Sequence, residues 1–165
     1  MLAPELEAAL NEQLTKETSS AYLYLAMSAH FEHAGYPGFA AWMRAQAEEE
    51  HLHAMRFFDH INDRGGRVHL DMIEAPQAEF GSPLEVFEAS LEHERAITRA
   101  IEQLYEGSDR LTQAFLDWFL TEQIEEEKTV GQIVDTLRLA GDSGPSLLLL
   151  DRELGSRGPA ADAGA

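Results

Sequence analysis

The chain has 165 residues, with 12 Lys and Arg against 30 Asp and Glu, giving a formal net charge of −18. That length fits one domain, and so acidic a surface repels phosphate backbones and anionic lipid heads, which excludes nucleic acid and membrane surfaces as partners. Disorder is excluded as well, because 44% of the residues are hydrophobic and the 8 Phe, 4 Tyr and 2 Trp recur periodically, whereas disordered acidic chains lack such residues. With 0 Cys there is no disulfide framework, no zinc–thiolate site and no thiol chemistry. The start, Met1-Leu2-Ala3-Pro4-Glu5, has no basic stretch leading into an apolar run, so no signal peptide is expected. No apolar run approaches the length that spans a bilayer. The expectation is a soluble, cytoplasmic protein.

Helix breakers divide the chain. Residues 4–33 contain no Gly and no Pro after Pro4, which suits a first helical turn. Gly35-Tyr36-Pro37-Gly38 predicts a turn, and a second helix follows over 39–64. Residues 65–82, with Gly65, Gly66, Pro76 and Gly81, predict an extended connection. Ser82-Pro83-Leu84-Glu85 is a helix start with Ser as N-cap, Pro at N1 and Glu completing a capping box. That third helix runs to about 106, Gly107-Ser108-Asp109 turns the chain, and a fourth helix covers about 110–140 up to Gly141. Gly144-Pro145 opens a short apolar fifth segment ending at Gly155, and 156–165 reads as a disordered Gly, Pro, Ala and Ser tail behind a 1–155 domain.

The apolar periods are helical throughout. Leu6, Leu10, Leu14, Ala21, Tyr24, Ser28 and Phe31 mark the first stripe, and Phe115, Phe119, Val130, Ile133, Leu137 and Ala140 the fourth. The prediction is an all-α four-helix bundle with a short C-terminal fifth helix. The turns between helices 1 and 2 and between 3 and 4 are tight, so each pair forms an antiparallel hairpin. The 65–82 connection, about 18 residues at roughly 3.3 Å each, reaches about 55 Å, more than the roughly 39 Å length of a 26-residue helix. It can therefore cross the whole bundle and set helices 2 and 3 parallel.

Each stripe is broken by polar residues near its midpoint. Glu17 falls on the buried face of the first helix. Gln46, Glu50 and His53 share a face with Phe39, Trp42 and Phe57 in the second. Glu94 interrupts Phe87, Leu91, Ile97 and Ile101 in the third, and Gln123 and Glu126 lie between Phe119 and Val130 in the fourth. Helices packed antiparallel keep their midpoints level, so these side chains converge. Burying carboxylates there without counter-charge costs several kcal/mol each, and no Lys or Arg stands at a neighbouring stripe position. Protons or metal must supply the positive charge. The carboxylates Glu17, Glu50, Glu94 and Glu126 with one imidazole and one amide are oxygen and nitrogen donors suited to iron or manganese and tolerant of zinc, and their charge balances two divalent ions. Glu50 and His53, spaced i, i+3, point to one side of their helix.

Taken singly, each residue has a bland alternative. Glu48 and His51 match the same Glu-x-x-His spacing, and a lone buried Glu is satisfied by a proton. Only the convergence of six residues at one level favours metal. His30, His33, His51, His60, His69 and His93 lack such company and read as surface or packing residues, and Met27, Met43, Met55 and Met72 as core filler.

With Gln46-Ala47-Glu48-Glu49-Glu50-His51-Leu52-His53-Ala54-Met55 and Trp118 through Glu127 as its specific blocks, and Leu10-Asn11-Glu12-Gln13 and Tyr22-Leu23-Tyr24 as weaker ones, the chain resembles the bacterial non-haem ferritins over nearly its whole length. The resemblance implies iron storage and detoxification by a ferroxidase using O2 or peroxide, with ferric mineral deposited inside a 24-subunit homo-oligomeric shell. It implies that Glu17, Glu50 and His53 bind one iron with Glu50 bridging, that Glu94 and Glu126 bind the second with Gln123 close by, and that Tyr24 lies beside this two-iron centre. Glu49, Glu122 and Glu125, with Glu126 shared, match an adjacent third iron site, although from spacing alone they are equally a solvated acidic face. The fifth segment, Ser146 to Leu154, resembles the helix lining the shell's four-fold axis and by itself could equally cap the bundle end.

The sequence departs from two relatives of that family. Haem-binding bacterioferritins carry a second Glu-x-x-His in the fourth helix and a haem-ligating Met near position 52, where this chain has Glu126 with Thr129, and Leu52; haem is not expected. Rubrerythrins need a Cys cluster that is absent. The connection from Leu104 to Phe115 is short for the family, whose three-fold pores form near it, so the family's iron-entry residues do not carry over position by position; Asp109 and Asp117 are candidates only. Two further readings stay open on the residues alone: a di-iron or di-manganese oxidase acting on an organic substrate, and a metal-free helical scaffold, which leaves the buried carboxylates unexplained.

Overall fold

The computed structural model describes residues 2–156, so the expected tail lies outside the described residues except for Ser156, whose N–H turns back onto the Glu153 carbonyl at 3.2 Å. Among the described residues the elements are five helices: α1 (Pro4–Ala34), α2 (Pro37–Asp63), α3 (Pro83–Glu106), α4 (Arg110–Ala140) and α5 (Gly144–Leu154). Their ends follow the residues that predict them. The α3 capping box is complete, with Glu85 N–H donating to Ser82 Oγ and Ser82 N–H donating to Glu85 Oε2 at 2.7 Å. Asp109 caps α4 by accepting the Thr112 N–H at 2.9 Å. Gly35 stops α1 in the left-handed region at φ 83, where a Cβ is costly.

One boundary differs from expectation. Helix α2 begins at Pro37, so Gly38 is helical and not part of the turn. Its lack of a side chain serves packing: a Cβ there would lie 1.7 Å from the Asp151 carbonyl oxygen of α5. The cap that Tyr36 fails to supply to α2 comes from the same place, since Asp151 Oδ1 accepts the Phe39 N–H at 2.8 Å. Helix α5 thus closes one end of the bundle, with Leu150 buried and Leu148 and Leu149 outward.

The 67–81 stretch lies along α1. At one end the Arg67 N–H donates to Glu7 Oε2 at 3.1 Å, while Asn11 donates to the Arg67 carbonyl at 3.0 Å and accepts the His69 N–H at 2.7 Å. At the other, His30 Nε2 meets the Gly81 carbonyl at 2.9 Å. The connection therefore runs the length of the bundle and sets α3 parallel to α2, as its reach predicts. Met72, expected as core filler, is instead 87% exposed. It sits on this strap between Val68 and Phe80, the strap residues that pack against the two core clusters, and it points outward. Met27 and Met43 are core, and Met55 is half-buried. Phe115 is likewise half-buried, at the rim of its stripe, where it stacks on His60 at 4.0 Å.

The core falls into two apolar clusters. One gathers Tyr24, Met27, Phe31, Phe39, Trp42, Phe87 and Leu137 beneath α5. The other gathers Leu6, Leu10, Leu14, Phe57, Ile61, Ile101 and Phe119 at the opposite end. In every helix of the bundle the polar interruption lies between a residue of one cluster and a residue of the other. Among the described residues no helix is long and apolar enough to cross a membrane.

Candidate metal centre

The polar layer is buried. Relative exposures are 1% for Glu17, 2% for Glu50, 4% for His53, 1% for Glu94, 1% for Gln123 and 6% for Glu126. All four helices of the bundle contribute, and each does so because a stripe position one or two turns from Leu14, Phe57, Phe87 or Phe119 carries a polar residue. Glu17, Glu50 and His53 each offer a ligand atom, and these atoms lie within 4.8 Å of one another. His53 Nδ1 stands 3.4 Å from Glu50 Oε2 and 3.9 Å from Glu17 Oε2. The imidazole is wedged edge-on against Trp118 and Phe119, at 5.5 and 5.7 Å between ring centres.

Glu94 and Glu126 face the same space from the other hairpin. Tyr24 donates its hydroxyl to Glu94 Oε1, and Gln123 Nε2 donates to Glu94 Oε2 at 3.2 Å. Gln46 Nε2 donates to Glu126 Oε2 at 3.0 Å. At the far side of the layer Gln13 Nε2 donates to Glu17 Oε1 at 2.7 Å. Thr98 accepts from Gln123 at 3.2 Å and donates to Glu127 at 2.7 Å, linking the layer outward.

Electrostatics follow from the burial. Desolvation, then the nearby Glu50, pushes the Glu17 carboxyl well above the ordinary range. Desolvation and the charge of Glu94 do the same to Glu50. Glu126 is pushed up to about 7 by burial first and then by Glu94 and Glu49. The Tyr24 hydroxyl is raised by burial and by Glu94 and Glu50. Glu17 and Glu50 lie close enough that each shifts the carboxyl of the other. No Lys or Arg among the described residues forms an ion pair with Glu17, Glu50, Glu94 or Glu126. A buried set of oxygen donors with one imidazole nitrogen and no sulfur fits iron or manganese.

The remaining predicted residues are less gathered. Glu49 is half-buried and close enough to raise both Glu50 and Glu126. Glu122 is half-buried, while Glu125 is 63% exposed by side chain and lies 3.7 Å from Lys128. Among the described residues, Glu17, Glu50 and His53 are the ones drawn into common ligand distance. Asp109 is engaged in structure: it caps α4 and pairs with Arg64 at 2.7 Å, which holds its carboxyl well below the usual range. Asp117 lies beside Tyr105, whose hydroxyl its charge raises. Gln13 and Thr98 are part of the layer that the sequence reasoning missed. Gln13 precedes Glu17 by one helical turn, the spacing that could have exposed it.

A long-crossover bundle with a buried carboxylate and imidazole layer defines a metal-binding four-helix protein of ferritin-like build. Residues 7–140 match the ferritin family, described as the ferritin-like domain. Bacterial non-heme ferritin of Staphylococcus epidermidis is 44% identical over 161 residues, covering 95% of this chain and 97% of that protein. That of Escherichia coli O6:H1 is 40% identical over 158 residues, covering 93% and 96%. An open-pore ferritin from the hyperthermophilic archaeon Archaeoglobus fulgidus superposes with a TM-score of 0.95 at 44% identity, covering 96% of this chain and 100% of that one. A humanized archaeal ferritin gives a TM-score of 0.96 at 42% identity, covering 98% and 100%. The chain belongs to the ferritin family, alongside the bacterial non-haem ferritins, and its function is iron storage.

Proposed function

We propose that the chain takes up two Fe(II) ions in the central layer and oxidises them with O2 or peroxide, passing ferric iron to a mineral inside a 24-subunit homo-oligomeric shell in the cytoplasm. The observation that carries this reading is the burial of Glu17, Glu50, Glu94 and Glu126, with His53 and Gln123, at one level, with no Lys or Arg among the described residues in an ion pair with the carboxylates. Glu17, Glu50 and His53 would hold one iron, with Glu50 bridging, and Glu94 and Glu126 the second, with Gln123 beside it. Fe(II) would supply the positive charge that the buried carboxylates lack, so loading lowers the electrostatic cost of the layer. Each Fe(II) gives up one electron to the oxidant. Tyr24 holds Glu94 in place through its hydroxyl. Glu49, Glu122 and Glu125, on the adjacent acidic side, would form the third site sharing Glu126, a way station for ferric iron leaving the layer.

The oxidase reading requires an organic substrate to reach the metals. A groove of about 920 Å³ on the described surface is lined by Thr18, Tyr22, Leu25, Leu52 and Ile73, on the outer side of α1 and α2 and away from His53 and Glu126. Storage is the better fit. The test is anaerobic Fe(II) titration followed by air and size exclusion. Loading of many irons per chain into a species of shell size supports the reading. Saturation at a few irons, or elution as monomer or dimer, overturns it.

A further inference from the structure

Three glutamines serve the layer, and two of them have no role in the ligand set above. Gln13, Gln46 and Gln123 are 2%, 0% and 1% exposed. Each spends an Nε2 hydrogen on one carboxylate: Gln13 on Glu17 at 2.7 Å, Gln46 on Glu126 at 3.0 Å and Gln123 on Glu94 at 3.2 Å. The atoms chosen matter. Gln13 takes Oε1 of Glu17, and the oxygen left over, Oε2, is the one that faces His53 Nδ1. Gln46 takes Oε2 of Glu126, which leaves Oε1. A carboxylate anchored through one oxygen cannot swing freely about its last bond, and it presents the other oxygen alone. Glu94 differs, since Tyr24 and Gln123 occupy both of its oxygens.

We propose that Gln13 and Gln46 are positioning residues that hold Glu17 and Glu126 to single-oxygen metal ligation, through Glu17 Oε2 and Glu126 Oε1. The inference rests on the two-metal reading above. A neutral amide suits this task because it adds no charge to a layer that must attract cations, whereas a Lys or Arg would compete with metal for the carboxylates. The two anchors are not equivalent. Gln13 and Glu17 lie one turn apart on α1, so their pair moves as a unit. Gln46 reaches from α2 to Glu126 on α4, across the two hairpins, so the second metal position depends on their relative placement. Partners of this kind typically change metal affinity by roughly tenfold to a hundredfold when removed.

Co(II) is the probe, titrated anaerobically into the assembled protein and read by its visible d–d bands, with Gln46→Met and Gln13→Met as variants of similar length that lack the donor. Gln46→Met is expected to weaken the second Co(II) equivalent by about tenfold and Gln13→Met the first, each changing band intensity at its own step. Gln46→Asn, whose amide is too short to reach, keeps the test open should Gln46→Met fail to fold, and it is expected to share the loss. Co(II) affinities within twofold of the parent with unchanged bands overturn the proposal, even if thermal stability falls, because that pattern is a packing effect alone. A parent protein that does not bind two Co(II) per chain overturns the two-metal reading itself.

Discussion

Glu50 and Glu49 are neighbours in the chain, as are Glu126 and Glu125, yet each pair is divided between two environments. Glu50 and Glu126 are 2% and 6% exposed with carboxyls raised above the ordinary range, while Glu49 is half-buried and Glu125 stands in solvent beside Lys128. The division comes from helix phase. One residue turns a side chain by about 100°, enough to carry a carboxylate from the axis of the bundle to its flank. Two chemically identical groups then differ in function because one has exchanged water for other carboxylates and the other has not.

The largest consequence falls on oxidation. Glu50→Ala removes the carboxylate that touches both His53 and Glu17, and it is expected to abolish rapid Fe(II) oxidation, a loss of at least about a hundredfold on the stopped-flow timescale. Glu49→Ala leaves the initial phase in place and slows only later turnovers. Equal losses in both variants would erase the distinction between inner and outer carboxylates.

A second effect is on stability against pH. Glu126 has a folded value of about 7 against an ordinary 4.5. Below about pH 4.5 both folded and unfolded chains carry the proton and the group is neutral to stability. Between pH 4.5 and 7 the unfolded chain ionises first, so metal-free protein loses stability as pH rises, by on the order of 3 kcal/mol in all. Glu17 and Glu50, raised in the same direction, add to that slope. Differential scanning calorimetry of metal-free protein should show a melting temperature that falls from pH 5 to pH 7.5. Glu126→Gln should flatten the curve, and saturating Co(II) should reverse its sign, since metal takes the place of the proton. A flat profile in the parent would mean that the layer is hydrated or otherwise compensated.

The inner layer was legible because it breaks a pattern. Glu17, Glu94 and Glu126 each stand where the 3.6-residue period demands an apolar side chain, and a buried carboxylate is costly enough that such a break requires a reason. The long connection was legible from its reach alone. What sequence could not supply was direction within the layer. Nothing in the spacing of Gln46 says that it will meet Glu126, which lies 80 positions away across the α2 to α4 interface. Asp151 is a parallel case: it stands in a segment that reads only as short and apolar, and it caps α2 because Gly38 lets the two backbones approach. Met72 departs from the expected core for the opposite reason. An isolated methionine in an extended strap has no period to place it, and the strap is anchored by hydrogen bonds to Asn11.

Smaller effects belong to the outer carboxylates, and they test whether the two environments communicate. Glu49 helps raise Glu126, after burial and Glu94. Glu49→Gln should therefore move the pH dependence of the metal-free melting temperature toward acid while leaving its overall fall in place. Glu125 has no comparable hold on the layer: its carboxylate is largely solvated, and its ion pair with Lys128 is of the exposed i, i+3 kind that contributes little. Glu125→Gln is expected to change stability by less than about 0.5 kcal/mol and to leave the first two-iron oxidation within twofold of the parent. Slowed iron transfer after that first turnover would give Glu125 a part in the outward path. A defect in the first turnover itself would mean that the outer carboxylates reach into the layer, and that helix phase alone does not separate the two populations.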